Sequence, residues 1–455
     1  MAISSVGAGS GILTQEVLDQ LREADDAQYI RPIELSITNE DDRKNALQII
    51  DASMGNLIDS IDALKDLTLF KERSTTITGT SVEVSAVLNT DIQDFTLDVT
   101  KLATKQIEES GTFTLNTETI ANAAGSMNLN IDGVDFTIDY DATTTLDDLK
   151  NLINEVAGEK VDATVVQINS GDFRLFVSSV ETGTTQNITM TDNSASLKDT
   201  RLTDGMLALQ TGEDAEFTFN GQAITRTSNS IDDLVVGLTI TLKEVGVSSV
   251  SVAQNNENIL EKIDSFVAKY NETMTELEKM TKSSIDSAER GIFSSDSTVR
   301  SMKNQIENMI SNTTSGSMFD YGFEIDKGGT LSVDKAVFTD KLENDNANVQ
   351  AFLAGGTYRN EDGTTTELDG AFTEFSIKIE VYTKYDAILD QMKNTITESV
   401  ATLTERKEDM IEMLDTKYAT MQKRFIAYDI MMSRLNSASS MFMQMANATT
   451  AAANN

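Results

Sequence analysis

The residues best suited to chemistry in this chain are carboxylates set side by side: Asp25-Asp26, Asp147-Asp148 and Asp232-Asp233. Adjacent acids can share a proton or hold a divalent cation, and a suitably spaced pair can cleave a glycosidic bond. In a chain with 73 Asp and Glu, however, neighbouring acids are ordinarily solvated, and helix N-termini attract them electrostatically. Nothing in the surrounding sequence isolates one pair for catalysis. The stretch Asn128-Leu129-Asn130-Ile131-Asp132-Gly133, with Asp139 in its twelfth position, approaches a calcium loop. Such a loop opens on Asp and closes on a bidentate Glu, and neither is present. Instead Leu129, Ile131, Phe136 and Ile138 alternate, which is strand spacing around an Asp-Gly turn. Gly7-Ala8-Gly9-Ser10-Gly11 follows no strand and lacks the Gly-Lys-Ser/Thr ending of a phosphate loop. No cofactor and no metal site is expected.

The residues that are missing narrow the chemistry further. The chain has no His, so a Ser-His-Asp triad, a histidine zinc site and imidazole acid–base catalysis are excluded. It has no Cys, so thiol nucleophiles and disulfides are excluded too. It has no Trp, the strongest stacking platform for sugars and bases. The balance of 36 Lys and Arg against 73 Asp and Glu gives a net charge of −37, which repels nucleic acid and anionic membranes alike. No run approaches the ~18 apolar residues of a membrane helix, and Met1–Gly11 does not read as a secretory signal peptide. One proline, Pro32, stands where roughly twenty would be average, so slow prolyl isomerisation would hardly delay refolding. That composition suits a protein exported unfolded.

At 455 residues, 39% hydrophobic and 24% charged, the chain should form several globular domains. A first helix is expected after Gly11, carrying Leu13, Val17, Leu18 and Leu21, with Pro32 marking a boundary behind it. Leu47, Ile50, Met54, Leu57, Ile61 and Leu64 then alternate three and four residues apart within a helix over about 40–71. Near the other end the same rhythm runs through Leu414, Tyr418, Met421, Phe425, Tyr428, Met432, Leu435 and Phe442. A 3.5-residue repeat keeps one seam facing a partner helix. Two seams this far apart predict a chain that leaves and returns through one stalk.

Between the seams the period is two. Val82, Val84 and Ala86, then Phe95, Leu97 and Val99, read as strands, as do Ala163–Ile168 and Phe173–Val177. Leu146–Val156 is a short helix entered through Thr145 and closed by Gly158. Asp132-Gly133 followed by Thr145-Leu146-Asp147-Asp148-Leu149 is echoed by Asn220-Gly221 followed by Ser230-Ile231-Asp232-Asp233-Leu234. The echo predicts two related β modules, each with a hairpin and then an acidic helix-like start. Helical spacing returns at Ile259–Leu277 and Val299–Ile310, a hairpin turns at Gly328-Gly329, Gly355–Gly370 reads as a polar loop, and one long helix is expected over about 375–445.

Nine of the nineteen methionines fall in the last 64 residues. Met431, Met432, Met441, Met443 and Met445 exceed a single stripe, which favours a helix that serves several partners. The fold class is therefore α+β multidomain: an antiparallel coiled-coil or helical-bundle stalk from both chain ends with inserted β-rich head domains. Residues 1–40 and 431–455 are expected to form a terminal helical leg, mobile when unpartnered. Residues 41–80 and 256–430 form the stalk with a small hairpin, 81–108 and 203–255 a β-rich head, and 109–202 a second head inserted in the first.

Several segments in this order resemble the bacterial flagellar filament cap family, the FliD-type hook-associated proteins. They are the opening Gly7–Leu13 with Gln20-Leu21, the strand Phe95-Thr96-Leu97-Asp98-Val99-Thr100-Lys101-Leu102-Ala103, and Leu146–Ile153 with Asn154. Val161–Val165, Phe173-Arg174-Leu175 through Ser179–Gly183, Phe266–Asn271, and Arg424-Phe425 to Leu435-Asn436-Ser437 continue the match. The first helix is more acidic and the closing segment richer in Met than the family pattern. The resemblance implies a secreted, non-enzymatic protein of the flagellum, exported by the type III apparatus to the distal filament tip. It implies a homo-oligomer, commonly a pentamer, under which flagellin folds and inserts. Flagellin and the hook–filament junction proteins are the expected partners, with an export chaperone at the C-terminal helix and an adhesive role for the head open alongside. Partner contacts are expected at Ile12, Leu13, Val17, Leu18, Leu21, Phe425, Tyr428, Met432, Leu435 and Phe442. The permanent seam is assigned to Leu47, Ile50, Met54, Leu57, Ile61, Leu64, Leu414, Tyr418 and Met421. A flagellin or junction subunit is the alternative, since it also sets terminal helices around β domains; a secreted carboxylate-dependent hydrolase is the remote one.

Overall fold

A computed structural model describes residues 14–311 and 313–453. The chain divides into two compact units, one from the residues up to Asp66 together with those from Ile259 on, the other from Leu67–Asn258. Helix α1 (Gln15–Asp25) opens the first unit, capped by the Thr14 hydroxyl, which accepts from the Val17 amide at 3.3 Å. A single π-helical turn, Asp26–Ile30, joins it to α2 (Arg31–Lys65). Pro32 therefore does not end a helix, contrary to the boundary its ring suggests. In an α-helix the ring would strike the carbonyl four residues back, at Gln28. The π turn widens the spiral there, with the Arg31 amide bonding to Asp26 five residues back, and Arg31 keeps helical angles (φ −54, ψ −38).

The second unit is β-rich. Its strands are β1 (Arg73–Thr78), β2 (Val82–Ala86), β3 (Gln93–Lys101), β4 (Ile107–Glu109), β5 (Gly125–Ile131) and β6 (Val134–Tyr140), then β7 (Val161–Asn169), β8 (Asp172–Ser179) and β9 (Thr189–Asp192). β10 (Leu207–Gln210), β11 (Ala215–Phe219), β12 (Gln222–Arg226), β13 (Ser230–Ile231), β14 (Leu238–Leu242) and β15 (Gly246–Gln254) follow. One core lies among the sheets β1-β15-β3-β11-β12 and β13-β14-β2, where Phe95, Leu97, Val99, Phe217, Ile240 and Val250 are buried. A second core, from residues between β3 and β11 in sequence, lies among β10-β4-β8-β7, β6-β5-β9 and helix α3 (Leu146–Ala157). The pairings are antiparallel.

Turn and cap chemistry explains these elements locally. Asp132 and Gly133 take positive φ (52° and 71°), as do Asn220 and Gly221 (49° and 80°), the mirror-image turn that matches strand twist. Thr145 and Asp148 form a reciprocal capping box at the start of α3. The echoed segment after Asn220-Gly221 is not a helix. Ser230-Ile231 pairs with β14, and the Val235 carbonyl accepts from Leu238, which closes a turn. The α3 segment continues with Leu152, Ile153 and Val156 at helical spacing, whereas Val235-Val236-Gly237 ends its counterpart.

The chain then returns through α4 (Asn256–Thr281), α5 (Ser297–Ser311), the hairpin β16–β17 (Phe323–Ile325, Leu331–Val333), α6 (Lys335–Asn344) and α7 (Asn346–Ala354). The stretch expected as a polar loop contains a hairpin, β18 (Gly356–Arg359) with β19 (Thr365–Leu368). The long helix is divided into α8 (Ala371–Thr383) and α9 (Ile388–Ala453), because Lys384 is extended and Asp386 has φ 60°. A phenylalanine cluster fills this part of the unit, with Phe266 edge-on to Phe372 at 4.8 Å and Phe323 edge-on to Phe338 at 6.1 Å. No described helix is long and apolar enough to cross a membrane.

Candidate functional site

The acid pairs first weighed for catalysis are engaged locally. Asp148 caps α3, and Asp147 meets Lys150 at 2.8 Å. Asp233 accepts from Arg226 at 3.0 Å and Asp26 from Arg22 at 2.8 Å. In the calcium-like stretch the Asn128 and Asn130 amides both donate to Asp135, holding its carboxyl below the usual range. Among the described residues no three potential metal ligands come together. The candidate site lies elsewhere, along α9.

At 66 residues α9 is about 100 Å long. The helical rod α1–α2 runs antiparallel beside its first half: Glu34 meets Lys407 at 2.8 Å, Arg22 meets Asp415 at 2.6 Å, and Gln15 meets Gln422 at 3.1 Å. Asp25 accepts from Lys417 Nζ at 2.6 Å and from the Tyr418 hydroxyl at 2.7 Å. Those two bonds, Lys417 first, hold the Asp25 carboxyl below its ordinary value. Burial, followed by the bond to Asp25, pushes Tyr418 up to about 12. Burial works against the Arg22 charge, but the bond to Asp415 and the nearby Asp26 leave its pKa raised.

The assigned seam residues sort along this geometry. Leu47, Ile50, Met54, Leu57, Ile61 and Leu64 are buried, as is Leu414, while Tyr418 and Met421 are half-buried. Of the assigned partner contacts, Ile12 and Leu13 lie outside the described residues. Leu18 is buried at 3% exposure and so is already covered by the chain itself; Val17 and Phe425 are half-buried and Leu21 is exposed. Past Phe425 the helix changes character. Tyr428, Met432, Leu435 and Phe442 keep the four-and-three spacing but are exposed, Leu435 by 62% and Phe442 by 72%. Met431, Met441, Met443 and Met445 are exposed beside them, so the apolar surface extends around the helix. Sequence reasoning missed Tyr29 and Leu35, apolar residues exposed on the π turn and α2. The signal available was that Leu35 falls off the stripe marked by Ile30 and Ile33, which are buried.

So continuous an exposed apolar surface marks an interaction site more often than an idle one. Comparison with known proteins agrees on what kind of chain this is. Residues 10–106 match the family Flagellar hook-associated protein 2 N-terminus, and residues 212–437 match Flagellar hook-associated protein 2 C-terminus. The Flagellar hook-associated protein 2 of Campylobacter jejuni is 27% identical over 437 residues, covering 81% of this chain and 66% of that protein. That of Escherichia coli K12 is 26% identical over 475 residues, covering 97% of this chain and 98% of that protein. The chain thus spans slightly less than two thirds of the Campylobacter relative. Among solved structures, the D1-D2-D3 domains of the flagellar cap protein FliD from Escherichia coli superpose with a TM-score of 0.59. They share 23% identity and cover 77% of this chain and 99% of theirs, a likeness of fold.

Proposed function

The chain belongs to the flagellar hook-associated protein 2 family, and from that premise we propose that it is a flagellar filament cap. In this reading identical chains assemble at the distal filament tip, and exported flagellin folds and inserts beneath them. The observation that carries the reading is the closing helix, whose apolar stripe from Tyr428 to Phe442 stays exposed although its spacing is that of a packed seam. Leu21, Phe425, Tyr428, Met432, Leu435 and Phe442 are its partner contacts in this proposal. Flagellin, the junction proteins and an export chaperone would use them in turn, which suits flexible methionine side chains. Leu47–Leu64 would act as permanent core. The four-part division into leg, stalk and two heads, and a ring of five copies, belong to the same proposal.

Deleting the gene in the flagellated source cell tests it. Loss of a cap releases unpolymerised flagellin into the medium, and the wild-type gene restores filaments. A flagellin subunit would leave no flagellin to release. Loss of a junction protein would also release flagellin, so electron microscopy with gold-labelled antibody must place the chain at the distal tip. Label confined to the hook end, or normal filaments after deletion, would sink the proposal. Native mass measurement of the assembled protein counts its copies.

A further inference from the structure

Sulfur is distributed unevenly over this molecule. With no Cys in the chain, methionine is its only oxidisable sulfur. Met54, Met127, Met302 and Met318 are 0% exposed. The exposed methionines among the described residues are Met413, Met431, Met432, Met441, Met443 and Met445, all on α9 and between 41% and 69% exposed. Thioether oxidation follows access, so the burial pattern sets a selectivity before any chemistry begins.

We propose that the closing stretch of α9 is an oxidation site for peroxide-class oxidants, and that its oxidation weakens docking of that helix. The methionine sulfur attacks one peroxide oxygen; an S–O bond forms, the O–O bond breaks, and the departing oxygen leaves as water after taking up a proton. Sulfur loses two electrons and the peroxide gains them, so hydrogen peroxide alone balances the step. The product sulfoxide is polar and accepts hydrogen bonds that an apolar interface does not supply. At 3.6 residues per turn Met432 lies on the Tyr428–Leu435–Phe442 stripe, with Met431 and Met443 on its edges. Met413 lies fifteen residues before Tyr428 along the helix, beside the buried Leu414, and serves as an internal control: exposed to oxidant, yet outside the docking surface. A methionine sulfoxide reductase would return each sulfur to the thioether. The site itself rests on burial alone, whereas the effect on docking rests on the capping function proposed above.

The full-length protein is treated with hydrogen peroxide, quenched, and mapped by peptide mass spectrometry. Met431, Met432, Met441, Met443 and Met445 should oxidise at least ten-fold faster than Met54, Met127, Met302 and Met318. Rates equal within two-fold would overturn the site. A deletion strain carrying either the wild-type gene or one with those five methionines changed to Leu is then challenged with sub-lethal peroxide. Filament length is normalised to the same strain unchallenged. Shortening of two-fold or more with the wild-type gene, and less with the variant, supports the effect on docking; equal shortening overturns it. A wild-type gene that restores no filaments at all counts against capping and against the docking effect, and leaves the oxidation map to stand or fall separately.

Discussion

Leu47–Leu64 on α2 and Tyr428–Phe442 on α9 carry the same alternating spacing, yet Leu57 is 0% exposed and Phe442 is 72% exposed. The difference lies in what the chain brings alongside. The second half of α2 has α8 beside it, where Lys65 and Asp62 reach Ser376, and α4 beside it, where the Thr273 hydroxyl donates to the Ser53 carbonyl at 3.1 Å. Among the described residues the apolar stripe of the closing helix runs past its neighbour: α1 begins opposite Gln422, and α9 continues to Ala453, although Asp429 in that stretch is buried. Heptad spacing therefore records that a helix needs a partner. It does not say whether the same chain provides one.

The largest effects should come from charging the exposed seam. Burying an unpaired carboxylate costs several kcal/mol, so the double variant Leu435→Glu, Phe442→Glu should lower filament number on the order of 100-fold. Its unfolding free energy should change by less than ~0.5 kcal/mol, because an exposed site gives up little on substitution. Electron microscopy and calorimetry report the two halves, and normal filaments would break the comparison. Next in size is the reciprocal change. Leu57→Ala should destabilise the helical unit by about 2–5 kcal/mol through lost burial and a residual cavity, whereas Leu435→Ala should stay within ~0.5. Urea unfolding followed by circular dichroism measures both. A cost for Leu435→Ala as large as for Leu57→Ala would mean that the closing helix is packed after all.

A third change asks whether the packed region is fixed by more than apolar contact. The Asn271 side chain on α4 accepts from the Leu331 amide and donates to the Leu331 carbonyl, each at 2.8 Å, locking the β16–β17 hairpin to the helix. Asn154 does the same to Ala163 at the end of α3, at 2.7 and 2.9 Å. Asn271→Ala leaves both backbone groups of Leu331 without that partner and should cost about 1–3 kcal/mol. Hydrogen exchange at the Leu331 amide should rise with it, and an unchanged rate would count against the anchor.

Much of this arrangement is legible in the residues, and what is not has physical causes. The α2 seam, the two positive-φ hairpin turns and the Thr145 cap are local signals, each decided within a few residues. Pro32 misleads because a π turn absorbs its ring, and nothing in Asp26–Ile30 announces that turn. The β18–β19 hairpin is hidden because Thr365, Thr366 and Glu367 are all exposed, so neither face carries an apolar alternation. The break between α8 and α9 falls at Lys384–Ala387 without glycine or proline, at mostly exposed residues where Asp386 takes φ 60° and its amide bonds to the Asp390 carboxylate. At the candidate site the spacing from Leu414 to Phe442 was readable, but the change from buried to exposed near Phe425 was not. Among the described residues it follows where α1 starts, opposite Gln422, which is set far away in the sequence.

The smallest effect should appear where the two regimes meet. Asp25 links α1 to α9 through Lys417 and Tyr418, and these bonds depress its pKa below the ordinary 3.8. A depressed carboxylate stabilises the folded form above its unfolded pKa, and that contribution is lost as pH falls through the lower folded value. The α1–α9 contact should therefore hold unchanged at neutral pH and loosen in acid, starting near pH 4. Because Asp25 supplies a single partly buried ion pair to that contact, the loss should be local fraying and not global unfolding. Protection factors in Gln15–Asp25, taken relative to the intrinsic exchange rate at each pH, should fall in acid while the amides of Leu47–Leu64 stay protected. Asp25→Asn should show the lower protection already at neutral pH, with a flatter acid response. If the α1 amides exchange alike in wild type and variant across that range, Asp25 does not hold the contact, and the covered length of α9 is set by Leu18 and its apolar neighbours alone.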